Sequence, residues 1–208
     1  VHTKAGDLIG CIGRKATHIL TEEERKKPLE VKDLAIDLGL PADRVKETVR
    51  VGDTVTLRQE FLEYGEVVSG KALDDRLGLY VGIEALKRVA RPTCDLFLVG
   101  TTQEEVGLRG ARVAGQALNP DIGIALDVTV AADTPGVPEQ DRITQLGKGV
   151  AIKVKDSASI SHPGLVRAMR ALAEEREIPY QLEILPRGGT DAGGLQLAND
   201  GAAVITLS

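Results

Sequence analysis

Three acidic groupings stand out among the residues that could do chemistry. Glu104 and Glu105 are adjacent and follow the apolar run Leu96-Phe97-Leu98-Val99. Asp127 lies inside the hydrophobic run from Ile122 to Val130. Asp74 and Asp75 are adjacent at the start of a long helical stretch. An Asp ahead of a helix commonly caps it, and acidic residues in a first turn complement the helix dipole. Asp127 has no such local role, because a carboxylate in an apolar strand is costly to bury unless it is paired or bound to a metal. Convergent carboxylates are hard oxygen ligands, suited to divalent ions such as Zn, Mn or Co. Two adjacent glutamates can divide a reaction, one holding a metal while the other moves a proton.

These groups need elements to position them. After Gly70 the pattern alternates between helix and strand. Leu73 to Ala90 predicts a helix, with Gly78 and Gly82 as weak points in it. Cys94 to Val99 reads as a buried strand. Val106 to Leu118 reads as a helix with Val106, Val113 and Ala117 inward. Ile122 to Val130 and Val150 to Val154 read as strands, and Pro163 to Arg176 as a helix burying Leu165, Met169 and Leu172. Tyr180, Leu182 and Ile184 alternate with Gln181 and Glu183, which predicts a half-exposed strand with the apolar side inward. Ala203 to Leu207 closes the chain as a strand. This alternation predicts an α/β layer fold with a largely parallel sheet. In such sheets, sites lie beyond the carboxyl ends of strands; Glu104 and Glu105 follow the run that ends at Val99, while Asp127 lies within the run from Ile122.

The first seventy residues differ. Leu8 to Ile12, Leu34 to Leu38 and Thr54 to Leu57 are short β-like runs broken by Gly and Asp. Thr21 with Glu24 has capping-box spacing, and Pro41 to Val49 reads as a short helix. This part predicts a small, mostly β domain without a catalytic constellation. The division is placed at 1–69 and 70–208.

Composition narrows the partners. The 208 residues are 42% hydrophobic and 27% charged, as in a globular protein. Aromatics are only 2%, so the core must be aliphatic. A net charge of −5 argues against nucleic acid, which needs a basic face. No run is long enough for a membrane helix. Cys11 and Cys94 form no CxxC pair and predict reduced thiols in a cytoplasmic protein. There is no GxSxG elbow and no GxxxxGK[ST] loop. Ser157, Ser159, Ser161 and His162 are expected to cap the helix at Pro163, and Gly188 to Gly194 to form a tight turn before a helix.

Four ordered motifs carry a resemblance. Gly70-Lys71-Ala72-Leu73-Asp74-Asp75-Arg76-Leu77-Gly78, Thr102-Gln103-Glu104-Glu105-Val106-Gly107, Asp127-Val128-Thr129 with Asp133-Thr134-Pro135-Gly136, and Gly189-Thr190-Asp191-Ala192 are present in that order. Together they resemble the dinuclear metal aminopeptidases that assemble as tetrahedral dodecamers, a group holding glutamyl and deblocking aminopeptidases and endoglucanase-like relatives. The resemblance covers essentially the whole chain. It implies a phosphorylase/hydrolase-like α/β/α catalytic domain, incomplete here, with a small inserted β-barrel-like domain used in assembly. It implies two divalent metal ions (Zn, Co or Mn), peptide substrates, no nucleic-acid or membrane partner, and a homo-oligomer, a dodecamer. It makes Asp74 the carboxylate bridging two metals, joined to Asp75 by a cis peptide. It makes Glu104 the general base, Glu105 a ligand of one metal and Asp127 of the other. Thr190 and Asp191 would lie near the substrate.

The family pattern also holds a histidine in a His-x-Asp motif upstream and another beyond the last strand. The histidines here are His2, His18 and His162, and none occupies either place. The resemblance therefore implies a chain truncated at both ends, carrying three of five metal-ligand positions. Two alternatives follow: a non-catalytic fragment or assembly module, and a glycoside hydrolase using a carboxylate pair.

Overall fold

A computed structural model describes residues 1–208. They fall into two compact units, Val1–Lys71 and Ala72–Ser208.

In Val1–Lys71 the strands are two to four residues long. β1 (His2–Thr3) pairs with β2 (Gly6–Asp7), and β3 (Cys11–Arg14) pairs with β4 (Leu34–Asp37). β5 (Leu62–Tyr64) pairs with β6 (Val67–Ser69). All three are antiparallel two-stranded ribbons, each its own sheet, so the expected barrel-like domain does not close. Strands this short, broken by Gly and Asp, offer too little ladder to join ribbon to ribbon. Thr54 to Leu57 forms no strand beyond a single bridge from Thr54 to His2. Two helices fit their sequence signals. α1 (Glu22–Lys26) carries the capping box, with Thr21 Oγ1 accepting from Glu24 N and Glu24 accepting from Thr21 N. α2 (Ala42–Thr48) follows Pro41.

In Ala72–Ser208 the elements are α3 (Leu73–Arg88), α4 (Arg109–Leu118), β7 (Ile122–Leu126), β8 (Val150–Lys155), α5 (Pro163–Glu175), β9 (Tyr180–Ile184), α6 (Asp191–Leu195) and β10 (Ala203–Leu207). The strands form one sheet in the order β7-β10-β8-β9. β10 runs parallel to β7 and antiparallel to β8, and β8 runs parallel to β9. The sheet is therefore mixed rather than largely parallel. β10 is one of its two interior strands and is covered on both faces: Val204, Ile205 and Thr206 are all buried. Ala125, Ala192, Ala202 and Val204 form the core cluster, with Leu195 against it. α5 packs on β8 and β10, α6 on β7 and β10, and α4 on α6. No helix is long and apolar enough to cross a membrane.

Several expectations change on contact with the fold. Cys94 to Val99 is not a buried strand. It has no ladder partner, and Leu96, Phe97, Leu98 and Val99 are exposed. In α3 the buried positions are Gly78 and Gly82. A Cβ at Gly78 would come within 2.6 Å of the Leu126 carbonyl oxygen, so the glycine is what lets α3 approach the end of β7. α4 begins at Arg109, and its buried residues are Ala111 and Gly115, not Val106 or Val113. The small face is needed because a Cβ at Gly115 would meet the Ala198 methyl at 2.7 Å. In α5 Leu172 faces outward and Ala173 is buried. His162 precedes α5 without a side-chain cap. The neighbouring serines serve a turn instead: Asp156 Oδ1 accepts from Ala158 N at 2.8 Å and Ser159 N at 2.7 Å, and Ser157 Oγ donates to the Gly188 carbonyl.

β9 reverses its predicted orientation. Leu182 and Ile184 are exposed, and Glu183 is 0% exposed. Its partner across the strand pair is Lys153, 1% exposed, in register with it. A buried charge needs an opposite charge, and the register supplies one.

Candidate metal centre

The acidic groups are carried by four chain segments. Asp74 and Asp75 sit at the N-terminal end of α3, where both have non-helical backbone angles and a cis peptide joins them. Oδ1 of Asp75 accepts a 2.9 Å hydrogen bond from Gly78 N, a capping contact within that turn. Asp127 follows β7 directly. Its N–H extends the β7–β10 pairing to the Leu207 carbonyl at 3.2 Å, and its Oδ1 accepts from Val128 N at 2.8 Å. Glu104 and Glu105 lie in the turn before α4, where the Glu104 carbonyl accepts from Gly107 N and Leu108 N at 3.0 and 2.9 Å. Asp191 opens α6 with Thr190 as its N-cap residue. Thr101 Oγ1 donates to Asp191 Oδ2 at 2.5 Å.

Oxygens of Asp74, Asp75 and Asp127 lie within 4.8 Å of one another. Asp75 enters this set although the sequence reading gave it no ligand role, and Glu105 lies outside it. The signal for Asp75 was its adjacency to Asp74, which local capping explained equally well. Thr190 is 2% exposed, and its hydroxyl bonds to that of Thr206 at 2.7 Å inside the fold. Asp191 is half-buried, with Oδ1 buried and without a hydrogen-bond partner.

These carboxylates act on one another electrostatically. Glu104 is pushed up to about 7, first by burial and then by Asp127, Asp191, Glu105 and Asp74. Asp127 is pushed up to about 6, first by burial, with Asp75 and Asp74 adding to the rise while Val128 N and Lys153 oppose it. Burial also raises Asp75 and Asp191. Clustered anions that hold protons near neutrality lack counter-charge. A carboxylate donor set, close-spaced and short of positive charge, fits hard divalent cations. His2 and His18 lie in Val1–Lys71, while His162 precedes α5. His2 is bonded to Asp7 and Thr56 at 2.9 and 2.7 Å.

Residues 1–208 match the profile of the family described as M42 glutamyl aminopeptidase. An aminopeptidase of the archaeon Desulfurococcus kamchatkensis superposes on the whole chain with a TM-score of 0.91 at 38% identity, and the match covers 58% of that chain. The lysyl aminopeptidase of Pyrococcus furiosus is 33% identical over 99% of this chain and 60% of its own length. A Pyrococcus horikoshii TET1 peptidase, described as assembling into a tetrahedron or a large octahedral shell, matches with a TM-score of 0.76 at 31% identity, over 99% of this chain and 61% of that one. The chain thus spans less than two thirds of the length of these relatives.

Proposed function

The chain belongs to the M42 glutamyl aminopeptidase family, and from that membership we propose that the protein is a metal-dependent aminopeptidase, releasing the N-terminal residue of peptides at a centre of two divalent ions. The observation that carries the reading is the meeting of Asp74, Asp75 and Asp127 oxygens within 4.8 Å, with Glu104 beside them and its proton held to about pH 7.

In this reading Asp74, Glu105 and Asp127 would hold the ions. Zn, Co and Mn all suit the oxygen-rich donors. When bound, such ions polarise a carbonyl and lower the pKa of a water. The remaining work falls to this chain's side chains. Glu104 accepts the proton of the attacking water as the carbon–oxygen bond forms. It then returns that proton to the departing amine as the carbon–nitrogen bond breaks, so the base is regenerated. A carboxyl group poised near neutrality suits both transfers. Asp191 stands on the substrate side of the cluster, and Thr190 holds it there from within the fold. The ribbon unit at the N-terminal end serves subunit assembly, into a homo-oligomer of the dodecameric kind.

The test is hydrolysis by the full-length gene product, loaded with Co²⁺ or Zn²⁺. A peptide with a free amino end is expected to be cleaved, and its N-acetylated counterpart to resist. Cleavage of a glucan instead, or of neither peptide at any metal loading, overturns the reading.

A further inference from the structure

One polar row crosses the sheet and is used by none of the chemistry above. Ala125 of β7 pairs with Thr206 of β10, Thr206 with Lys153 of β8, and Lys153 with Glu183 of β9. Thr206, Lys153 and Glu183 are no more than 1% exposed. Side chains in register lie on the same face of a sheet, so the three form a continuous buried strip. The Lys153 ammonium sits 3.0 Å from Glu183 Oε1 as an ion pair without hydrogen-bond alignment. Buried ion pairs of this kind are poor investments in stability, since apolar replacements of equal volume commonly do as well.

Both ends of the strip reach the carboxylate cluster. Glu183 Oε1 accepts from the Thr129 hydroxyl at 2.6 Å, two residues beyond Asp127. The Thr206 hydroxyl bonds that of Thr190, the residue before Asp191. One strip therefore grips two segments, and each segment carries one of the cluster's carboxylates. Asp127 lies just past the end of β7, held to the sheet by the single Asp127 N bond, and Asp191 is the first residue of the five-residue helix α6, outside the sheet.

Resting on the metal-centre reading above, we propose that Lys153, Glu183 and Thr206 are positioning residues, a buried polar strip that holds the Asp127–Thr129 and Thr190–Asp191 segments in register with each other. Glu183 fixes the first through Thr129, Thr206 fixes the second through Thr190, and Lys153 joins the two holds by its pairing across the strands. Outer partners of metal ligands act in this way, and their loss costs about 10–100-fold in metal affinity or activity.

The experiment uses volume-conserving variants in the full-length gene product: Thr129→Val, Thr206→Val, Glu183→Gln and the hydroxyl-keeping control Thr129→Ser. Backbone hydrogen exchange is followed by mass spectrometry in peptides covering 127–131 and 188–195. Thr129→Val and Glu183→Gln are expected to speed exchange in 127–131, and Thr206→Val in 188–195, with the rest of the sheet unchanged. Co²⁺ titration of the metal-free protein is expected to weaken by about 10–100-fold for Thr129→Val and Glu183→Gln, and Thr129→Ser to restore it. Unchanged exchange in both segments overturns the proposal. So does a uniform rise across the sheet, which would mark a purely structural role, or faster exchange at an unaltered Co²⁺ affinity. If the unsubstituted protein takes up no Co²⁺, the metal reading falls, while the exchange pattern still decides whether the strip holds the two segments.

Discussion

Thr101 and Asp191 are ninety residues apart in the chain and share one of its shortest side-chain hydrogen bonds, 2.5 Å from hydroxyl to carboxylate. The bond ties the segment before Glu104 to the start of α6. Asp191 Oδ1 has no hydrogen-bond partner, so Thr101, bonded to Oδ2, supplies the only side-chain bond to this carboxylate.

Thr101→Val keeps the volume and removes that donor. A half-buried carboxylate left without it is expected to cost about 1–3 kcal/mol of stability. For a chain of this size that is a fall of about 2–4 °C in melting temperature per kcal/mol. Thermal melts of the two proteins at equal metal loading check it; equal melting temperatures would show the bond to be dispensable.

Glu104→Gln retains shape but cannot take a proton. Turnover is expected to fall by about 10²–10⁴-fold, while Co²⁺ binding stays near its original strength because Asp74, Glu105 and Asp127 are intact. Initial rates and metal analysis on the same preparation separate the two effects. Retained turnover would remove Glu104 from the chemistry.

The metal-free protein should show an inverted pH dependence of stability. Glu104 and Asp127 are pushed up to about 7 and about 6 from ordinary values of 4.5 and 3.8. Between those limits the folded state holds more protons than the unfolded chain, so stability falls as pH rises from about 4 to about 7. Cations compete with those protons, so Co²⁺ affinity is expected to rise over the same interval and level off above it. Melting of the metal-free protein at pH 5 and pH 8 checks the first statement. Titration with Co²⁺ at both values checks the second. A melting temperature that climbs toward pH 8 without metal would contradict the crowding of these carboxylates.

Gly78→Ala tests the approach of α3 to β7. The added methyl would meet the Leu126 carbonyl oxygen at 2.6 Å, and backbone cannot retreat as a flexible side chain can. Overpacking of this kind costs about 1–3 kcal/mol. It would also part Asp75 from Asp127, so metal affinity is expected to weaken together with stability. Gly107→Ala, where a Cβ meets nothing within 4 Å but φ is +120°, separates backbone strain from that contact.

Local signals in the sequence suffice where one interaction decides the outcome. The capping box at Thr21, the strand from Val150 and the closing strand at Ala203 are of this kind. The acidic residues were also legible, because Asp127 in an apolar run has no local explanation. What could not be read was pairing. Cys94 to Val99 has the composition of a strand and lacks a ladder. Alternation along Tyr180 to Ile184 was sound, yet its inward side is the polar one, because Lys153 waits in register with Glu183. The available hint was Lys153 itself, a cation in the middle of Val-Ala-Ile-Lys-Val. The glycines of α3 and the small face of α4 were likewise opaque, since their meaning lies in how near another backbone comes.

The place of β10 has a consequence for how the molecule is made. Ala203–Leu207 lies between β7 and β8, yet it follows them and β9 in the chain. A ribosome therefore releases the middle of this sheet after both of its neighbours. Until then the flanks of β7 and β8 that β10 will cover stand open, the kind of unpaired edge that makes a folding intermediate prone to association. Because β10 also brings Thr206 to Thr190 and the Leu207 carbonyl to Asp127, the acidic centre takes shape only after β10 has joined β7 and β8.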